Sequence, residues 1–278
     1  MSNNLFADKI KALMSSRVPS ELLGGLWYIN QKPYPHIYLD VNDNFIDGRC
    51  PKKCNVKGDL FSEDIEYHKG LTSLNSSQAL CLNFFIKFFE RSEWEKYLLQ
   101  LLEKCEITVP TNNIANAIFE YIAESKEETN FDFYLIFDNG DHISFEIKYT
   151  ENNFGQPSNS IVYYREKWER IQKGMVDECP FLDCSMDMFH KNYQINRNII
   201  YGRTNDSVVF LTPRANNSKG ILEGREYIDE LHEKYSNICN IYWEDVVPYL
   251  LEIVQNEPDL YEYYSKFKMK YIDILSLI

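Results

Sequence analysis

Asp132, Glu146 and Lys148 are the residues whose types and spacing offer chemistry. Glu146 and Lys148 alternate with Phe145, Ile147 and Tyr149 in HISFEIKYT, so a strand here has one polar and one apolar face. Asp132 is the acidic exception in an otherwise largely apolar run, NFDFYLIF. Two carboxylates held face to face without a cation repel, and one takes up a proton near neutral pH. With Mg2+ between them they become hard oxygen ligands that leave room for waters and a substrate phosphate. The metal acidifies a bound water, and a neighbouring ammonium holds that water or stabilises the pentavalent transition state. The trio therefore suits metal-dependent hydrolysis of a phosphodiester. A solvated face of an edge strand would carry the same short pattern.

The two runs are joined by Asp138-Asn139-Gly140, a strong hairpin signal. A two-residue Asn139-Gly140 turn would set Asp132 opposite Ile147 and mix polar with apolar on each face. A three-residue loop with Gly140 left-handed sets Phe133 against Phe145, Leu135 against Ile143 and Asp132 against Glu146. Because a buried face specifies register, the second arrangement is expected. It places the two carboxylates about 5 Å apart at their β-carbons, with Lys148 further along the same face.

Around the hairpin, Leu5–Leu13 reads as a short amphipathic helix, followed by Gly24-Gly25, Pro33, Pro35 and Pro51 as punctuation. Asn75 with Gln78 resembles a capping box opening a helix, and Ser92 with Glu95 a second cap, the helical pattern reaching about Lys104. Residues 114–123 are ambiguous between helix and strand. Helices are expected near 161–176, 186–200 and 224–235, strands at 207–212 and 238–243, and two helices from 244 to the end. The order indicates an α/β (α+β) layer structure with a mixed central sheet flanked by helices. We divide the chain into an N-terminal extension (1–67), a core (68–216) and a C-terminal extension (217–278).

Composition bounds the function. The 278 residues carry a formal charge of −13, against the basic footprint of a free-standing nucleic-acid binder, so a protein partner or homo-oligomer is expected to help grip any substrate. No apolar run spans a bilayer and no secretory leader is evident, which points to a cytoplasmic protein without a membrane partner. The seven scattered cysteines read as reduced thiols. Cys50 and Cys54 form one C-x3-C, to which His36 and His68 add no recognisable zinc spacing.

At these residues the sequence resembles the PD-(D/E)XK superfamily of restriction-endonuclease-like nucleases, and more narrowly a poorly characterised family within it. The resembling pieces are LNSSQALCLNFF (74–85), FEY (119–121), TNFDFYL (129–135), FEIKYTE (145–151), FHKNYQINRN (189–198) and VVFLTPRAN (208–216), in that order over about half the chain. The resemblance implies a core of helix, three antiparallel strands, helix and strand, with a helix over 76–104 and a strand over the ambiguous 115–122. It implies an Mg2+-dependent nuclease (Mn2+ substituting), acting on DNA more than RNA, within a restriction or defence system. Asp132 and Glu146 would bind the metal with the Ile147 carbonyl, Lys148 would serve the attacking water, and Glu120 is the candidate extra acid. Gln194 and Arg197 resemble the helix that contacts substrate phosphate, and Gln78 reaches toward the site unless capping explains it. The family's proline is replaced here by Phe131, a departure that affects neither ligand. A partner-dependent or catalytically silent scaffold subunit is the alternative.

Overall fold

Every second side chain of HISFEI is large and apolar, and the sheet forms around that alternation. The computed structural model describes residues 4–51, 67–122, 130–155, 165, 168–169, 184–201 and 206–278. Five strands, β1 (Ile114–Ile122), β2 (Asn130–Phe137), β3 (His142–Ile147), β4 (Ser207–Thr212) and β5 (Ile238–Tyr242), lie side by side in sequence order. The first three are antiparallel, whereas β3–β4 and β4–β5 are parallel.

The hairpin takes the expected register. Phe133 pairs with Phe145 and Leu135 with Ile143, and Gly140 has φ 82°. Its backbone conformation is one that only glycine adopts without strain, so the three-residue loop follows from the sequence. The row Phe119, Phe133, Phe145 crosses three strands, with ring centroids 5.0 and 5.6 Å apart, and Phe85 stacks on Phe133 at 3.8 Å. Such pairs add about 0.5–1.5 kcal/mol each beyond area burial. They commit this face to the core and leave the alternate residues, Asp132 and Glu146 among them, on the other.

Two hydrophobic cores flank the sheet. The larger takes Phe145 and Ile147 of β3 and Val209 and Leu211 of β4. Against them lie α1 (Leu5–Ser15), α2 (Ser77–Phe85), α3 (Trp94–Lys104), α7 (Trp243–Ile253) and α8 (Pro258–Phe267). The smaller holds Val208 and Phe210 with α4 (Met186–Lys191), α5 (Tyr193–Ile200) and α6 (Lys219–His232). Side chains from the N-terminal and C-terminal stretches join the larger core. Asn83 of α2 binds them together, donating to the Asn44 carbonyl and the Tyr271 hydroxyl at 3.0 Å each.

Several expectations need correction. The helix expected over 76–104 breaks into α2, a 3-10 turn (Ile86–Glu90) and α3, a bend on either side of which Phe88 and Trp94 are both buried. Its cap is Ser76, whose hydroxyl accepts from Ala79 N at 3.2 Å; Asn75 donates instead to Thr150 Oγ1 at 2.6 Å. Glu93, not Ser92, precedes α3, with no side-chain cap. The 186–200 helix is divided at Asn192, where ψ turns to 37°. β3 ends at Ile147, so Lys148 lies just past the strand, although its N–H still donates to Leu211 O at 2.9 Å. The helix expected at 161–176 falls almost wholly outside the described residues.

Candidate active site

The edge of the sheet formed by β1–β3 collects acids. The strand registers set Glu120 beside Asp132 and Asp132 beside Glu146, a row of three carboxylates running across three strands on the face opposite the phenylalanines. Asp132 accepts from the Ile147 N–H at 2.6 Å, which pins its carboxylate against the neighbouring strand. Glu146 is 4% exposed and its oxygens are both engaged. Oε1 accepts from Lys148 Nζ at 2.7 Å and Gln194 Nε2 at 2.6 Å, and Oε2 from Asn198 Nδ2 at 2.7 Å. Gln194 and Asn198 are one helical turn apart on α5, so both amides face the same carboxylate.

Glu120 departs from strand geometry, with φ 52°. A non-glycine residue in the left-handed region costs on the order of 1–3 kcal/mol and is retained where surrounding structure over-determines it. The surroundings are polar here. Gln78 Nε2 donates to Glu120 Oε1 at 2.7 Å, and the His68 ring lies 3.7 Å from Oε2. Gln78 Oε1 in turn accepts from His68 N at 2.8 Å, so this glutamine braces the acid.

The electrostatics are those of a crowded acidic site. Burial, then Glu146 and Glu120, hold the Asp132 carboxyl well above its usual range, against Lys148 and the Ile147 N–H. Burial likewise raises Glu120, countered by Gln78 and His68. Burial alone would lower the Lys148 ammonium, but Glu146, Glu151 and Asp132 outweigh it and push it up to about 12. The Lys148 backbone is fixed as well, its carbonyl accepting from Trp243 Nε1 at 3.3 Å. Lys148 thus faces three carboxylates, a shortfall of positive charge that a divalent cation would make up. Among the described residues no group of three or more His, Cys, Asp or Glu side chains forms a ready-made metal cage. The smaller donor set, Asp132, Glu146 and a backbone carbonyl, is all hard oxygen and suits Mg2+ or Mn2+.

The structure therefore brings together Asp132, Glu146, Lys148, Ile147, Glu120, Gln78 and Gln194. It does not bring Arg197 to the carboxylates: the guanidinium carbon stands 6.0 Å from the Tyr193 ring centroid, and Nε is buried without a hydrogen-bond partner among the described residues. Asn198 is the residue that sequence reasoning missed. It sits in the same YQINRN segment, four residues beyond Gln194, and helical spacing alone would have paired them. Cys50, Cys81, Cys105, Cys184 and Cys239 form no disulfide among the described residues; Cys54 and Cys179 lie outside them. No helix among the described residues is long and apolar enough to cross a membrane.

A mixed five-stranded sheet flanked by helices, entered by a helix and three antiparallel strands, with an acid row ending at a lysine, defines a restriction-endonuclease-like protein. Residues 28–272 match the family described as restriction endonuclease associating with ARP (REase-ARP), and the chain belongs to that family. No match was found among curated proteins or among solved structures.

Proposed function

We propose that the chain is a Mg2+-dependent nuclease that hydrolyses phosphodiester bonds of DNA, with Mn2+ able to substitute, in a restriction or defence setting. The observation that carries this is the buried excess of carboxylate around the single ammonium of Lys148. A pure scaffold gains nothing from that arrangement, which costs stability. The family description, which names a restriction endonuclease, supports nuclease chemistry, and DNA as the substrate is our reading of it.

Asp132 and Glu146 would hold the cation together with the Ile147 carbonyl, and Glu120 would stand as an additional acid at the far end of the row. When bound, the metal supplies Lewis-acid stabilisation of developing charge and a more acidic water. Lys148 stays protonated at neutral pH, so it donates rather than abstracts a proton, orienting the attacking water or covering charge on the phosphate. Gln194 and Asn198 fix the orientation of Glu146, and the Ile147 N–H fixes Asp132.

Two observations favour dependence on a partner. The charge of −13 opposes DNA, and the family description names an associated ARP, which we take as the source of additional grip. Both Glu146 oxygens already accept hydrogen bonds within the chain, so a cation would compete with Lys148 and Gln194 for Oε1. Incubating plasmid DNA with Mg2+ or Mn2+ and the wild type, Asp132→Ala or Lys148→Ala tests the chemistry. Nicking by the wild type and a loss of 100-fold or more in both variants is expected; equal nicking by all three would reject the nuclease.

A further inference from the structure

A cleft of about 880 Å³ opens immediately beside the carboxylate row. It is walled by Thr150 and Glu151, two and three residues beyond Lys148, and by His68, which contacts Glu120. Its volume is that of a small-molecule site. Its lining is aromatic and amine-bearing, in a chain that is acidic overall: Trp27, Tyr34, His36 and Tyr67 contribute rings, and Lys11 and Lys69 contribute positive charge.

The rings are presented by a preformed arm. Trp27 N donates to Lys32 O and Gln31 N to Trp27 O, both at 2.8 Å, and Leu26 bridges Pro33. Those bonds are all backbone, so the arm's shape does not depend on the indole. Gly70 lies under the ring, where an added β-carbon would meet its edge at 3.8 Å. Burial and Lys11 together hold His36 down to about 4, with Asp8 acting the other way, so the imidazole is a neutral ring at physiological pH. Ser76 and Ser77, the first turn of α2, also face the cleft. That turn contains no acidic residue, and the positive end of the helix dipole favours an anion.

We propose that this cleft receives one unstacked nucleotide of the DNA next to the scissile bond, its base lying on Trp27 and its phosphate met by Lys11, Lys69 and the first turn of α2. Aromatic rings are sequence-tolerant platforms for bases because every base has a π-face. A double helix offers no free base, so the cleft selects single-stranded, mismatched or flipped nucleotides, whose unstacking is already paid for or inexpensive. Glu151, at the border with the catalytic row and held by the Tyr149 N–H at 2.6 Å, repels a second phosphate and limits the cleft to one nucleotide. The identity of the ligand rests on the nuclease assignment.

The test measures binding in EDTA, where no cleavage occurs, using the full chain with short DNA as a single strand, a matched duplex and a duplex with a central mismatch. Tryptophan quenching and fluorescence anisotropy are recorded for the wild type, Trp27→Ala and Trp27→Phe. The expected result is tighter binding of the single strand and the mismatched duplex than of the matched duplex. Trp27→Ala weakens single-strand binding roughly 5- to 150-fold, and Trp27→Phe retains most of it, with unchanged circular dichroism in both. Binding of all three DNAs by Trp27→Ala at wild-type strength, or no preference for the single strand, overturns the proposal. Cleavage with Mg2+ is read in parallel. Wild-type cleavage alongside Trp27-independent binding would sink the cleft and leave the nuclease standing; Trp27-dependent binding without cleavage would do the reverse.

Discussion

Asp132→Asn should make the metal-free protein more stable while ending its response to metal. The carboxylate it replaces is raised well above 3.8 by burial and by the charges of Glu146 and Glu120. Asparagine keeps an oxygen for the Ile147 N–H, now bonded at 2.6 Å, and removes the charge. Relieving a functional site of this kind commonly contributes about 0.5–2 kcal/mol, or roughly 1–4 °C in a chain of this size. The sign depends on pH. A carboxyl whose native pKa lies above its unfolded value holds a proton that the unfolded chain releases, so its ionisation costs stability. That cost is full above the raised native pKa and fades as pH falls through it toward 3.8. The advantage of the asparagine is therefore largest at alkaline pH and disappears in acid. Calorimetry in EDTA across that range measures it. Saturating Mn2+ should then reverse the order, since ligand at 100 times Kd stabilises the wild type by about 2.7 kcal/mol and leaves the variant behind. An Asp132→Asn protein less stable than the wild type in EDTA at alkaline pH, or one stabilised equally by Mn2+, would refute the reasoning.

Asn198→Ala leaves Glu146 Oε2 buried without its donor, at a cost of about 1–3 kcal/mol in melting experiments, and cleavage should fall about 10- to 100-fold through a disordered ligand. Gly155→Ala should reproduce Gln194→Ala: Gly155 has φ 128° and an added β-carbon would collide with Gln194 Oε1, driving the amide off Glu146. The two variants are compared in activity and as a double mutant, which should be no worse than either single one. Lys148→Met removes the counter-charge of a buried acid cluster and is expected to cost about 3–5 kcal/mol without metal. Mn2+ should restore part of that stability and none of the cleavage.

The hairpin was legible because three signals agreed on it: the Asp138-Asn139-Gly140 loop, the alternation of HISFEI, and Asp132 falling opposite Glu146 only when the phenylalanines share a face. What failed to show was tertiary in origin. The second cap read at Ser92 is the one local sign of the break between α2 and α3, and it falls one residue early; Ile86–Glu90 itself carries no helix breaker, yet it forms a 3-10 turn with Phe88 buried. Gln78 looked like half of a capping box because sequence spacing cannot tell an amide facing its own helix end from one reaching Glu120 on β1. Arg197 drew attention by its charge, yet the two amides one turn apart, Gln194 and Asn198, are what meets the carboxylate. The left-handed backbone at Glu120 has no sequence signal at all.

The central claim is that the acid row on β2 and β3 holds one divalent cation. Crystals grown with Mn2+, measured at an anomalous wavelength, test it most directly. The expected result is a single strong peak about 2.1 Å from oxygens of Asp132, Glu146 and the Ile147 carbonyl, with Lys148 or Gln194 displaced from Glu146. An anomalous map empty at this position under saturating Mn2+, with the Lys148, Gln194 and Asn198 bonds to Glu146 intact, would contradict it.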